Sequence, residues 1–139
     1  MRAVCIARHR YLSEHVCSVF GAMDMETFPA VGFPDGMELA RSRRPNVVFC
    51  DYDLLSTAPL EEWAADPQLQ DTPIIAVSLT RKHDEAQHFE GNGAAGFLYL
   101  PTLTASDAAS VLRAVVRGIT PPTHAMRWSS QAHEPRLAD

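Results

Sequence analysis

Short apolar runs alternate with amphipathic stretches five times along this chain. The first run is Ala3-Val4-Cys5-Ile6-Ala7, a strand pattern. Leu12, Val16, Val19, Phe20 and Met23 then fall at i, i+4, i+7, i+8 and i+11, one face of a helix from about Leu12 to Met23. A weaker strand, Met25–Val31, contains Pro29, which cannot donate to a ladder and suits an edge. Asp35-Gly36-Met37-Glu38 reads as a capping box opening a helix to about Arg43, ended by Pro45. The third strand is Val47–Asp51, and Pro59 suits the first residue of a short helix through Leu60, Trp63 and Ala64. After Pro73 comes a fourth strand, Ile74–Ser78. A polar helix is expected from Arg81 to Glu90, stopped by Gly91-Asn92-Gly93. The fifth strand, Gly96 to Leu100, is closed by Pro101. Thr104-Ala105-Ser106-Asp107 resembles a capping box and opens a last helix, with Ala108, Val111, Leu112, Val115 and Val116 on one side and Gly118 as its stop.

Strands alternating with helices predict a parallel sheet covered by helices on both faces. Right-handed crossovers with one reversal make it doubly wound α/β, and the flavodoxin-like order 2-1-3-4-5 fits best. The patterned domain covers 1–118. Residues 119–139 carry Pro121, Pro122 and Pro135 without apolar periodicity and read as a tail or linker.

Composition narrows the function classes. At 139 residues, with 46% hydrophobic and 21% charged, the chain can close a full core without staples. A net charge of -5 argues against direct nucleic-acid contact, which needs clustered Lys and Arg. No run approaches the ~20 apolar residues that span a bilayer, and Met1-Arg2-Ala3-Val4 leads straight into a strand. A cytoplasmic protein without membrane contact is expected. Cys5, Cys17 and Cys50 form no Cys-x-x-Cys pair, and Cys5 and Cys50 fall on strands expected to be adjacent. Neither a disulfide nor a metal is indicated by them.

The ends of the strands carry the chemistry. Open α/β sheets place their sites at the C-terminal strand edges, by the reversal point. The third strand ends there in Asp51, and the first in Arg8-His9, facing Asp51 across the crevice. Three segments in this order resemble the receiver domain of response regulators, over roughly residues 1–118. Arg44 to Leu54 resembles the family's third strand with its phosphoacceptor, here Asp51. Thr72-Pro73-Ile74-Ile75-Ala76-Val77-Ser78 resembles the fourth strand, ending in the Ser or Thr that contacts the phosphoryl group. Gly93 to Pro101 resembles the segment where Lys precedes a cis-Pro, and Phe97 matches the aromatic switch position.

The departures point to an altered chemistry of pseudo-receiver type. Where the family has two magnesium-binding acids after its first strand, this chain has Arg8 and His9; where it has Lys, this chain has Leu100. Of the five positions that usually build the site, Asp51 and Ser78 match. Arg8, His9, Asp53, Ser78 and Leu100 are thus the expected pocket around Asp51, with no metal or other cofactor. An Arg8–Asp51 pair would neutralise the pocket, and magnesium would find a poor octahedral site.

The expected function is a receiver-like signalling module that acts by protein–protein interaction, without metal-dependent phosphorylation. The alternatives are a conventional response regulator phosphorylated on Asp51 and a domain that binds a small anion through Arg8. An enzyme is not expected, because no nucleophile–base pair is indicated. By resemblance, the partner is a signalling protein or a second copy, meeting the helix from Arg81 to Glu90, the fifth strand and the helix from Thr104 to Arg117. Arg81, Lys82, Asp84, Glu85, Arg113 and Arg117 would offer mixed charge there. An output domain could follow Pro121 in a longer chain.

Overall fold

The computed structural model describes residues 1–55, 60–80 and 95–116. Five parallel strands, β1 (Arg2–Ala7), β2 (Glu26–Val31), β3 (Val47–Asp51), β4 (Ile74–Ser78) and β5 (Gly96–Tyr99), form one sheet in the order β2-β1-β3-β4-β5. This is the flavodoxin-like order expected from the alternation, with its reversal between β1 and β3. Every residue of β3 and β4 is buried, as continuous apolar runs at the centre of a parallel sheet require. β2 is mostly exposed or half-covered, with Ala30 its one buried residue, and carries Pro29 on the edge, paired beside Cys5.

The described helices are α1 (Arg10–Gly21), α2 (Phe33–Arg43), the single turn α3 (Tyr52–Leu55), α4 (Leu60–Ala65) and α5 (Ala105–Val116). α1 and α2 cover opposite faces. Phe20 of α1 stacks on Phe49 of β3, ring centroids 3.8 Å apart, and Phe49 is paired with Cys5. Gly36 of α2 lies against Ile6, the next residue of β1, whose side chain points to the other face. The core gathers Val4, Ile6, Val16, Phe20, Phe49, Ile75, Leu98 and Val111, all at most 2% exposed.

Several local expectations are corrected. α1 begins at Arg10, ahead of Leu12, with His9 as its extended N-cap and His9 O accepting the Ser13 N–H at 3.0 Å. The Asp35–Glu38 capping box does not open α2. The helix starts at Phe33 behind Gly32 (φ 81), because Pro34 presets the helical φ of the first turn, and Asp35 already lies inside that turn. α2 stops where Arg44 turns left-handed (φ 51) before Pro45. β5 ends at Tyr99, one residue early, since Leu100 and Pro101 enter a 3-10 turn, Leu100–Thr102. No cis peptide occurs among the described residues, so Leu100–Pro101 is trans, unlike the segment it resembles. Thr104 does cap α5, its Oγ1 accepting the Asp107 N–H at 3.1 Å. Trp63 of α4 is buried, and its indole N–H donates to Thr72 O at 3.2 Å. Pro59, the helix expected from Arg81 to Glu90, its Gly91-Asn92-Gly93 stop, Gly118 and residues 119–139 lie outside the described residues. No described helix is long and apolar enough to cross a membrane.

Candidate functional site at the reversal of the sheet

The register of the central strands fixes the crevice. Ile6 pairs with Cys50, so the next residues, Ala7 and Asp51, close β1 and β3 at the same level. Arg8 leaves the sheet there. Its Nε donates to Asp51 Oδ2 at 2.5 Å, and Nη2 lies 3.4 Å from Asp53 Oδ2. Asp51 Oδ1 accepts the backbone N–H of Asp53 at 3.2 Å, which ties the carboxylate to the first turn of α3. The Asp51 side chain is 5% exposed, while that of Arg8 is 44% exposed.

Energetically this is a pair with one wet and one dry partner. A buried carboxylate without a counter-charge would cost several kcal/mol, so the guanidinium compensates a penalty that β3 itself creates. Its own exposure keeps its desolvation small. A charge-assisted hydrogen bond of this kind contributes on the order of 1.5–3 kcal/mol net.

Arg8, Asp51, Asp53, Ser78 and Leu100 line one cavity of about 90 Å³, together with Leu12, Val16, Val77, Leu79 and Thr80. Ser78, 6% exposed, ends β4 opposite Tyr99, and its Oγ accepts the Thr80 N–H at 3.2 Å. Leu100 brings an apolar side chain, 8% exposed, to the position where the resemblance implies Lys. His9 stands apart: it is the exposed N-cap of α1 and does not line the cavity. Phe97 is buried behind the crevice, 2% exposed, with Tyr52 meeting its ring edge-on at 5.8 Å. The apolar wall from Leu12 and Val16 was not foreseen; the period of the first helix puts both on its core face, yet gives no reach toward the strand end.

The residues do not fit magnesium. That ion demands near-octahedral oxygen ligands and is held through carboxylates. Here the two carboxylates, Asp51 and Asp53, both pair with Arg8, and a cation placed between them would meet the guanidinium charge. Among the described residues no group of three His, Cys, Asp or Glu side chains could hold a metal.

A larger groove of about 610 Å³ lies elsewhere, between α1, the end of β2 and α2, and shares no lining residue with the crevice. Arg10, Glu14, Asp35 and Glu38 border it.

No protein-family model matches the sequence, and no curated protein matches it. Solved structures do. A response regulator from Desulfuromonas acetoxidans superimposes with a TM-score of 0.64 at 15% identity, over 84% of this chain and 96% of that one. A chemotaxis response regulator of Vibrio cholerae gives 0.61 at 17% identity, over 82% and 97%. NtrX from Brucella abortus gives 0.65 at 19% identity over 84% of this chain, which spans 26% of that protein. With the strand order and the crevice at β1/β3, these likenesses make this the fold of a response-regulator receiver domain.

Proposed function

We propose that this chain is a receiver-like regulatory module of pseudo-receiver type that acts by binding a signalling protein and is not an enzyme. Its Arg8–Asp51 pair stands in the place of metal-dependent phosphorylation. The observation that carries the reading is the guanidinium of Arg8 on the buried carboxylate of Asp51.

A phosphorylation switch needs an acceptor oxygen open to the donor, a cation to offset the added dianion, and an element with two arrangements. In this crevice Asp51 Oδ2 is taken by Arg8 and Oδ1 by a backbone N–H. The Ser78 hydroxyl accepts the Thr80 N–H at the end of β4, and Leu100 supplies no second positive charge. Phe97 is already turned inward against Tyr52. The domain thus holds one conformation and presents one surface. The NtrX likeness, covering a quarter of that protein, fits a module that can also serve inside a longer chain.

The test compares amide spectra of the whole chain. Adding magnesium with a small acyl phosphate should leave the parent spectrum unchanged, whereas Arg8→Ala should shift the ends of β3 and β4 and the first turn of α3. Saturable shifts of the parent at Asp51 and Ser78 on adding magnesium and phosphodonor, with Arg8→Ala silent, would restore a conventional receiver.

A further inference from the structure

α2 carries an acid, an apolar residue and a base in one row. Asp35, Leu39 and Arg43 are spaced i, i+4 and i+8, so they stack along one side of the helix. Gly36, Met37 and Ala40 are buried toward the sheet, while Asp35 and Arg43 are exposed and Leu39 is half-buried. An acid in the first turn and a base in the last both complement the helix dipole, so the row suits its own helix. About 12 Å of helix separates the two charges, more than the ~10 Å screening length at 0.1 M salt. They do not pair within one copy.

Through Asp35 and Leu39 the row borders the groove of about 610 Å³ between α1, β2 and α2. Glu38 adds a second exposed acid to that wall, and Glu14 on the α1 wall is paired with Arg10 at 3.1 Å. Among the described residues, neither Asp35 nor Glu38 has an ion-pair partner. Arg43 has no carboxylate there either; its guanidinium lies 4.7 Å over the Phe28 ring of β2, which holds it at the helix end. Arg2 Nη1 donates to Arg43 O at 2.7 Å, and Arg44 turns left-handed as the C-cap, so this end of the row is fixed. The groove thus has unbalanced acids at one end of α2 and an unbalanced base at the other.

From this row we propose that two copies of the chain form a two-fold dimer, α2 of each laid antiparallel along the groove of the other. Charge complementarity selects a second copy as the occupant. Reversing one helix sets Asp35 against the second copy's Arg43, Leu39 against Leu39, and Arg43 against Asp35, so each unbalanced charge meets its opposite. A parallel arrangement would set like charges together. Pairing of two β2 edges is disfavoured, because Pro29 lies within the strand and has no N–H to donate. The contact therefore runs through helix side chains, and its two-fold axis closes it at two copies. It lies at the β2 edge, the opposite edge of the sheet from β5, and its groove shares no lining residue with the Asp51 crevice. Exposed ion pairs contribute little each, so the dimer is weak and salt-sensitive.

The test is sedimentation velocity of the full chain from ~10 μM to ~1 mM, in about 20 mM and about 500 mM sodium chloride. At low salt the weight-average mass should rise with concentration from 15.3 kDa toward twice that value. The association constant should fall at least about tenfold at high salt. Asp35→Arg and Arg43→Glu change exposed side chains, so each should keep the parent's far-ultraviolet circular dichroism and stay monomeric alone. Mixed in equal amounts, the two variants should dimerise again, since each then offers the charge the other lacks. A parent that stays monomeric, association indifferent to salt or continuing past the dimer, single variants that associate like the parent, or a mixture no heavier than its components would overturn the inference.

Discussion

Arg8 meets both carboxylates, Asp51 and Asp53, that β3 and α3 bring to the strand end. Removing it leaves a carboxylate at 5% exposure with, among the described residues, the Asp53 N–H as its donor. Arg8→Ala should therefore destabilise the fold by about 1–3 kcal/mol, below the ~3–5 typical of a fully buried pair because the guanidinium is largely in water. Asp51→Asn keeps an oxygen for the Asp53 N–H and leaves Arg8 with Asp53, so its cost should be smaller. Urea midpoints of the two variants check the order. A second residue-scale prediction concerns acid. The hydrogen bond from Arg41 Nε, 2.7 Å from Asp66 Oδ2, holds the Asp66 carboxyl below the ordinary carboxylate range, with help from the Gln68 N–H. A carboxyl lower in the folded than in the unfolded chain stabilises above the unfolded value of ~3.9 and loses that contribution as pH falls through the folded value. Arg41→Gln should flatten stability against pH in the acid range below about 4 and leave the neutral-pH slope alone.

Elements show where the hydrophobic pattern carries information and where it stops. β3 and β4 fall on the expected residues because a central parallel strand is bounded by the change from apolar to polar. Val48→Ala and Val77→Ala should each cost about 1–3 kcal/mol through lost burial and the cavity left behind, read as a shift in denaturant midpoint at unchanged slope. The start of α2 was not legible from its capping box, because Gly32-Phe33-Pro34 offers an earlier start that satisfies the first turn without a side-chain cap. Its packing adds a constraint no propensity shows. A Cβ on Gly36 would stand 2.4 Å from Ile6 Cδ1 and 2.6 Å from Cγ1. Gly36→Ala should thus destabilise by about 1–3 kcal/mol despite the better helix propensity of alanine. In an Ile6→Ala background the same change should cost much less, a non-additivity that a double-mutant cycle reads directly.

Across the whole molecule, the order 2-1-3-4-5 is what brings Arg8 and Asp51 together; that order is the one that best fits the alternation with right-handed crossovers, and the ends of β1 and β3 fall where their apolar runs stop. The pairing was therefore readable before any coordinate. Two features were not. Asp53 shares the guanidinium, which depends on how α3 leaves β3. His9 is the exposed N-cap and does not line the crevice, because α1 starts at Arg10, not at Leu12. The central claim, that Arg8 occupies the place of metal and phosphoryl group, is tested most directly by intact mass after incubating the chain with magnesium and acetyl phosphate. The parent should show no gain of about 80 Da, the mass of one phosphoryl group. A stoichiometric gain of that size, dependent on magnesium and lost in Asp51→Asn, would contradict it.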